Sequence, residues 1–169
     1  GPASGLTNTC STTATNNPTP GWCLGGKSKR DATPGGGLNA PAGIWGDASY
    51  LYVVDTGNYR IVRYDKSSGA YAGWIGAVGT TTPTSPATGL TNTCDSTAAN
   101  TLTPGWCLGG TPYTTASLTT PSFTWSSSDI SGDDDYIYIG DLYAMRMIRI
   151  NKTSGAFAGW IGRIKVAAS

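Results

Sequence analysis

Four cysteines are the most reactive side chains of the 169-residue sequence, and they fall into two pairs of one spacing, Cys10 with Cys23 and Cys94 with Cys107. Pro-Gly-Trp stands before the second cysteine of each pair. A metal site would need closer cysteine pairs or added histidine, and histidine is absent. Two local disulfides fit the spacing better. They imply an oxidising compartment, so the chain is expected to be extracellular, either secreted or displayed on a cell surface. Each bridge would contribute on the order of 3 kcal/mol against the unfolded chain.

The other groups with chemical potential read more plainly. No histidine is present to activate a nucleophile, and the serines lie in loop-like tracts rather than in an elbow motif, so neither enzymatic activity nor a cofactor is expected. Asp129 with Asp133, Asp134 and Asp135 offers clustered carboxylates of the kind calcium takes, but without the spaced acidic loop of a dedicated site, and a solvated loop tip is the favoured reading. Six tryptophans occupy paired places: Trp22 with Trp106, Trp45 with Trp125, Trp74 with Trp160. Repetition at equivalent places points to shared packing rather than to a carbohydrate platform. Arg60, Arg63, Arg146 and Arg149 recur in the same way and read as structural ion pairs. Thr80, Thr81, Thr82, Thr84 and Ser85 have the Ser/Thr/Pro setting of O-glycosylated stalks, and Asn151-Lys152-Thr153 is a formal N-glycosylation acceptor, so covalent glycans are candidate partners. With a net charge of +1 and no long basic tract, nucleic acid is not an expected partner. No run approaches the roughly 20 apolar residues of a membrane helix.

These groups must be positioned by strands. Only 12 per cent of residues are charged, while glycine, threonine, serine and proline abound, as in turn-rich all-β proteins. Tyr50 to Val54 and Arg60 to Tyr64 are β-branched or aromatic runs around the turn-forming Asp55-Thr56-Gly57-Asn58. Gly43 to Trp45 and Ala70 to Ile75 complete four antiparallel strands. Asp55 and Arg60 flank the central turn, as Asp141 and Arg146 do later, and each couple is expected to form a cross-strand ion pair.

The whole pattern occurs twice. The segment 5–26 returns almost unchanged at 89–110, an offset of 84, and the later words Tyr50 and Tyr136 stand 86 apart. Such a period marks a repeat architecture. Unit 1 is assigned to 1–84, with a cystine loop 5–26, strands 38–76 and a connector 77–84. Unit 2 is assigned to 85–169, with connector 85–88, cystine loop 89–110, strands 118–162 and a tail 163–169. The Pro/Thr-rich connector is expected to be extended and to donate few backbone hydrogen bonds. In unit 2 the extra residues are placed at 126–135, after a first strand carrying Trp125.

Pro41-Ala42-Gly43-Ile44, Asp47, Leu51-Tyr52-Val53, Asp55, Asn58 and Arg60-Ile61 resemble an NHL repeat, the four-stranded blade of a family of β-propellers. The second unit keeps Leu118, Pro121, Tyr138, Asp141 and Arg146, but has Ser122-Phe123-Thr124 for Ala-Gly-Ile and Ala144 for Asn58. The resemblance implies two tandem antiparallel blades, in the manner of bacterial-type secreted repeat proteins with a disulfide-closed insert before each blade. Families of this kind serve mostly as binding scaffolds or surface modules, with occasional enzymes.

A blade has apolar residues on both faces, and a closed propeller takes about 4 to 8 blades. Two blades therefore leave faces and edges to be covered by something else. The expected function is structural: a subunit of an extracellular fibre or surface appendage whose copies join head to tail. The alternative is a fragment of a closed propeller that binds a glycan or protein. The sequence starts Gly1-Pro2-Ala3 without methionine, which leaves both a cleaved leader and a longer parent chain open. The tail Arg163 to Ser169, with Ile164 and Val166 alternating around Lys165, is the expected device for adding a strand to a neighbouring copy.

Overall fold

The computed structural model describes residues 22, 37–76, 78–80, 103, 105–107, 111–112, 129–142 and 144–162. Two four-stranded antiparallel sheets dominate them. The first runs in chain order through β1 (Pro41–Gly46), β2 (Tyr50–Asp55), β3 (Arg60–Asp65) and β4 (Tyr71–Gly76). A short pair, β5 (Val78–Thr80) with β6 (Thr111–Pro112), lies between the sheets in sequence. The second sheet is again a meander, β7 (Ile130–Gly132), β8 (Tyr136–Asp141), β9 (Arg146–Asn151) and β10 (Phe157–Gly162). The all-β class and the four strands of each repeat are thus as expected. Among the described residues no helix is long and apolar enough to cross a membrane.

The strands form where β-branched and aromatic residues run between turn chemistry that closes them. Asp47 caps the first hairpin: Oδ1 accepts from the backbone N–H of Ser49 (2.8 Å) and Tyr50 (2.7 Å), and Oδ2 from the Tyr52 hydroxyl (2.9 Å). Asp133 repeats this with Asp135, Tyr136 and Tyr138. This equivalence corrects the expected layout of unit 2. Its first strand is Ile130–Gly132, whose Ile130 pairs with Ile139 as Ile44 pairs with Val53. The inserted residues therefore precede the strand, and Trp125 lies outside the described residues. The hairpin fixes the register, because Asp133 must sit where Asp47 does for its carboxylate to close the turn. The connector is corrected as well, since Val78–Thr80 pairs with Thr111–Pro112 instead of running unpaired.

The second hairpin of each sheet is held by the expected ion pair. Arg60 Nε meets Asp55 Oδ2 at 2.8 Å and Arg146 Nε meets Asp141 Oδ2 at 3.0 Å, on directly opposed residues. Both pairs are buried, so removing one partner strands a charge. Asp55 also accepts from the Asn39 N–H and the Asn58 amide, which ties the segment before β1 into the turn.

Alternation along the strands gives each sheet two apolar faces. Tyr52, Val54, Ile61 and Ile75 of the first sheet form one core with Ile130, Ile137, Ile139, Ile148 and Ile150 of the second. The two sheets therefore stack face on face, and they do so with opposite faces: the register equivalents of Tyr52 and Ile75 are Tyr138 and Ile161, on the other side of the second sheet. Burying the four isoleucines of β8 and β9 contributes on the order of 10 kcal/mol before conformational entropy is subtracted. Trp45 lies across Gly132, where a Cβ would come within 2.6 Å of its ring, and Lys152 reaches Asp47 Oδ2 at 3.5 Å from the second sheet.

Candidate functional site

The densest conserved geometry between the repeats surrounds Trp106. Its backbone N–H donates to Ser154 O (3.2 Å) and its indole Nε1 to Lys152 O (3.0 Å), fastening it to the β9–β10 turn of its own sheet. Gly155 makes room, with φ at 74° and a Cβ position 2.6 Å from the Trp106 nitrogen. The ring reaches the first sheet, where its centroid lies 5.7 Å from that of Tyr52 and 4.2 Å from the Arg63 guanidinium carbon. The next residue along the chain, Cys107, pairs with edge strand β4: the Trp74 N–H donates to Cys107 O at 2.7 Å and the Cys107 N–H to Trp74 O at 2.8 Å. Thr103 adds a bond from its N–H to Gly76 O at 2.9 Å. One short stretch thus clips the two sheets together.

The slot that receives it is prepared by a bulge. The register of β3 and β4 shifts between Arg63 and Tyr64, and the carbonyl of the extra residue, Ala72, accepts from Arg63 Nη2 at 3.0 Å. Arg63 is held in place by this bond, stacked over Tyr50 on one side and Trp106 on the other. Burial pulls its guanidinium below the usual arginine range, while nearby Tyr50 and Tyr52 act the other way. Burial, and then the bond to Asp47, pushes the Tyr52 hydroxyl far up. Gly73, at φ 121°, leaves Cys107 O 3.1 Å from where its Cβ would be. These contacts pack and position; Arg63 and Arg149 form no ion pair among the described residues, correcting the expectation for those two, because the bulge carbonyls and the aromatic faces take up their guanidinium groups.

The second sheet carries the same slot, and it is open. Arg149 Nη2 donates to Ala158 O at 3.0 Å at an equivalent bulge, and its guanidinium lies 4.5 Å over Tyr136, the same distance as Arg63 over Tyr50. Gly159 keeps φ at 120° with no atom of a described residue within 4 Å of its Cβ position. Tyr138, Met147, Arg149, Gly159, Trp160 and Ile161 line a groove of about 310 Å³. Exposure measures the difference: Trp74 is 0 % and Ile75 1 % exposed, against 43 % and 69 % for Trp160 and Ile161.

No family model, curated protein or solved structure matches this chain. The function must be read from the site itself.

The remaining sequence-derived positions divide by location. Cys107 is fully buried, while Cys10, Cys23 and Cys94 lie outside the described residues, as do Thr81, Thr82, Thr84, Ser85, Ile164 and Val166. Thr80 ends β5, and Asn151 closes β9 with its Oδ1 accepting from the Ser154 N–H and hydroxyl, both at 2.9 Å. Asp133 is a turn cap, and among the described residues no group of three or more His, Cys, Asp or Glu could hold a metal ion. Trp45, Trp74 and Trp106 pack as expected, whereas Trp22 and Trp160 are nearly half exposed and Trp125 lies outside the described residues. What sequence reasoning missed is that Trp74 and Trp160, identical in local sequence, differ in burial; the recurring Ala-Gly-Trp-Ile-Gly gives no signal of that.

Proposed function

We propose that this chain is a structural protein, a repeat subunit of an extracellular fibre or surface appendage in which copies stack head to tail through NHL-like blades. The observation that carries this reading is the internal junction. One sheet accepts the next on its Tyr52/Ile75 face, and the corresponding Tyr138/Ile161 face of the second sheet stands uncovered with large apolar side chains outward. A face with a built partner inside the chain and none among the described residues at its repeat is a surface for further stacking. The four-stranded meanders and their face-on-face arrangement support the blade resemblance. Absence of a histidine, with Arg60, Asp55, Arg146 and Asp141 committed to hairpins and Arg63 to a bulge, supports a non-catalytic role. Pairing of Cys10 with Cys23 and of Cys94 with Cys107 belongs to the same reading, as does an oxidising location and glycosylation of the connector.

Electron microscopy of the purified, oxidised chain over a range of concentrations tests it. Filaments or sheets whose repeat matches a two-unit block are expected. A closed ring of blades would favour a ligand-binding propeller instead, and a species that stays a single chain at millimolar concentration would refute polymerisation.

A further inference from the structure

We infer that the open groove beside β10 is a socket for Trp22 of a second copy of this chain, so that each copy carries a plug on its first sheet and a socket on its second. The inference rests on the head-to-tail reading and supplies its contact.

The plug is already built. Trp22 is fastened to the β3–β4 turn by the same two bonds that fasten Trp106 to its own turn: its N–H to Ser68 O at 3.1 Å and its Nε1 to Lys66 O at 3.1 Å. Gly69, at φ 72°, sits under it as Gly155 sits under Trp106. The flanking sequence Thr-Pro-Gly-Trp-Cys is identical at 19–23 and 103–107. Yet Trp106 is pressed against Tyr52 and Arg63, whereas Trp22 is 46 % exposed. An indole anchored by its nitrogen and backbone, with its ring presented to solvent, is half of a contact.

The socket is the other half. Arg149 is held over Tyr136 by the Ala158 carbonyl as Arg63 is held over Tyr50 by Ala72, but no tryptophan among the described residues stands on it. Gly159 shows the same reservation of space. At Gly73 a positive φ of 121° coexists with a close backbone, Cys107 O; at Gly159 a φ of 120° coexists with no close atom of any described residue. Edge strand β10 also leaves the Trp160 N–H and C=O, equivalents of the Trp74 groups bonded to Cys107, without a bond to any described residue.

A second copy is the occupant because this chain itself carries the matching part in the matching attachment. Trp22 belongs to the first sheet and the groove to the second, so insertion makes a contact between unlike ends, which propagates as a filament or closes as a ring. A desolvated tryptophan between an arginine and a tyrosine is of the type that dominates interface energetics.

The test uses full-length oxidised chains in sedimentation velocity. Trp22→Ala should raise the concentration for half-assembly by at least about 30-fold, and Trp22→Phe, which keeps a ring, should recover part of that loss. Met147→Lys, at an exposed position in the socket, should act like Trp22→Ala. Mixed in equal amounts, the Trp22→Ala chain supplies a socket and the Met147→Lys chain a plug, so the mixture should stop at dimers. Assembly of Trp22→Ala at wild-type concentration, or a mixture that stays monomeric while the wild type polymerises, overturns the plug and leaves head-to-tail stacking standing. A wild type that never assembles overturns both.

Discussion

Truncating the two equivalent tryptophans should reveal what the slot contributes within one chain. Trp106→Ala and Trp22→Ala remove the same side chain from the same kind of turn, and each loses an indole hydrogen bond to a turn carbonyl, Lys152 O or Lys66 O, worth about 1 kcal/mol net. Only Trp106 also gives up contact with Tyr52 and the Arg63 guanidinium. A core tryptophan cut to alanine costs about 3–5 kcal/mol, and Trp106 is partly buried, which places its loss near the lower end, about 3 kcal/mol. Trp22, with nearly half its surface already in water, should cost about 1 kcal/mol. The difference of about 2 kcal/mol corresponds to roughly 30-fold in the folding equilibrium. Urea unfolding at dilutions where the protein sediments as single chains, with disulfides intact and far-UV circular dichroism as readout, measures it. Equal losses would show that the indole acts only on its own turn, and the slot would then contribute nothing to joining the sheets.

Asp55→Ala should destabilise the fold by about 3–5 kcal/mol, because it leaves the Arg60 charge buried without its partner; a loss under 1 kcal/mol in urea unfolding would contradict the burial. In acid, hydrogen bonds from Ser68 and Ser67 hold Asp65 down at about 2, and those from Tyr136 and Tyr138 hold Asp133 below the usual carboxylate range. A depressed folded-state value means stability that is complete above about pH 4 and lost as pH falls through the folded value, so acid unfolding should lie between pH 4 and 2, and Asp65→Asn should weaken the dependence in that window. In alkali the sign reverses: burial pushes Tyr64 up to about 12, so the stability tied to its proton is present below pH 10 and lost as pH rises through 12, and tyrosinate absorbance should appear late and together with unfolding. Gly73→Ala and Gly159→Ala share the cost of a positive φ, but only Gly73→Ala also crowds Cys107 O, so it should destabilise the single chain more, by about 1 kcal/mol or more, while Gly159→Ala should chiefly impair assembly. Equal melting temperatures and equal assembly for the two would argue against a reserved slot.

The strands were readable because their residues say the same thing at every level. Tyr50 to Val54 is β-branched and aromatic, bounded by Asp47 and Asp55 turns, and the structure forms a strand there with Asp55 facing Arg60. The first strand of the second sheet was misplaced because alignment on Pro121 and Trp125 outweighed a subtler repeat, Gly-Asp-x-x-Tyr, whose aspartate closes the hairpin at 47 and again at 133. Identical local sequence does not bring identical surroundings. Ala72 and Ala158 sit at matching bulges and Trp74 and Trp160 at matching edge positions, yet one slot is filled and the other empty, since what fills it comes from elsewhere in the sequence. Local sequence carries bulges, turns and face polarity; it does not say which neighbour arrives at a face. The partial legibility of the arginines has the same origin: Arg60 and Arg146 pair with carboxylates directly across a hairpin, whereas Arg63 and Arg149 answer to carbonyls exposed only once a bulge has formed.

Head-to-tail stacking is tested most directly by electron cryo-microscopy of assembled material at a resolution that shows side chains. The expected map has one two-sheet copy per repeat along the fibre, with an indole from the neighbouring first sheet seated over Arg149 and Tyr138 as Trp106 is seated over Arg63 and Tyr52. Contacts joining like ends of two copies, or a groove beside β10 left empty in a formed filament, would contradict it.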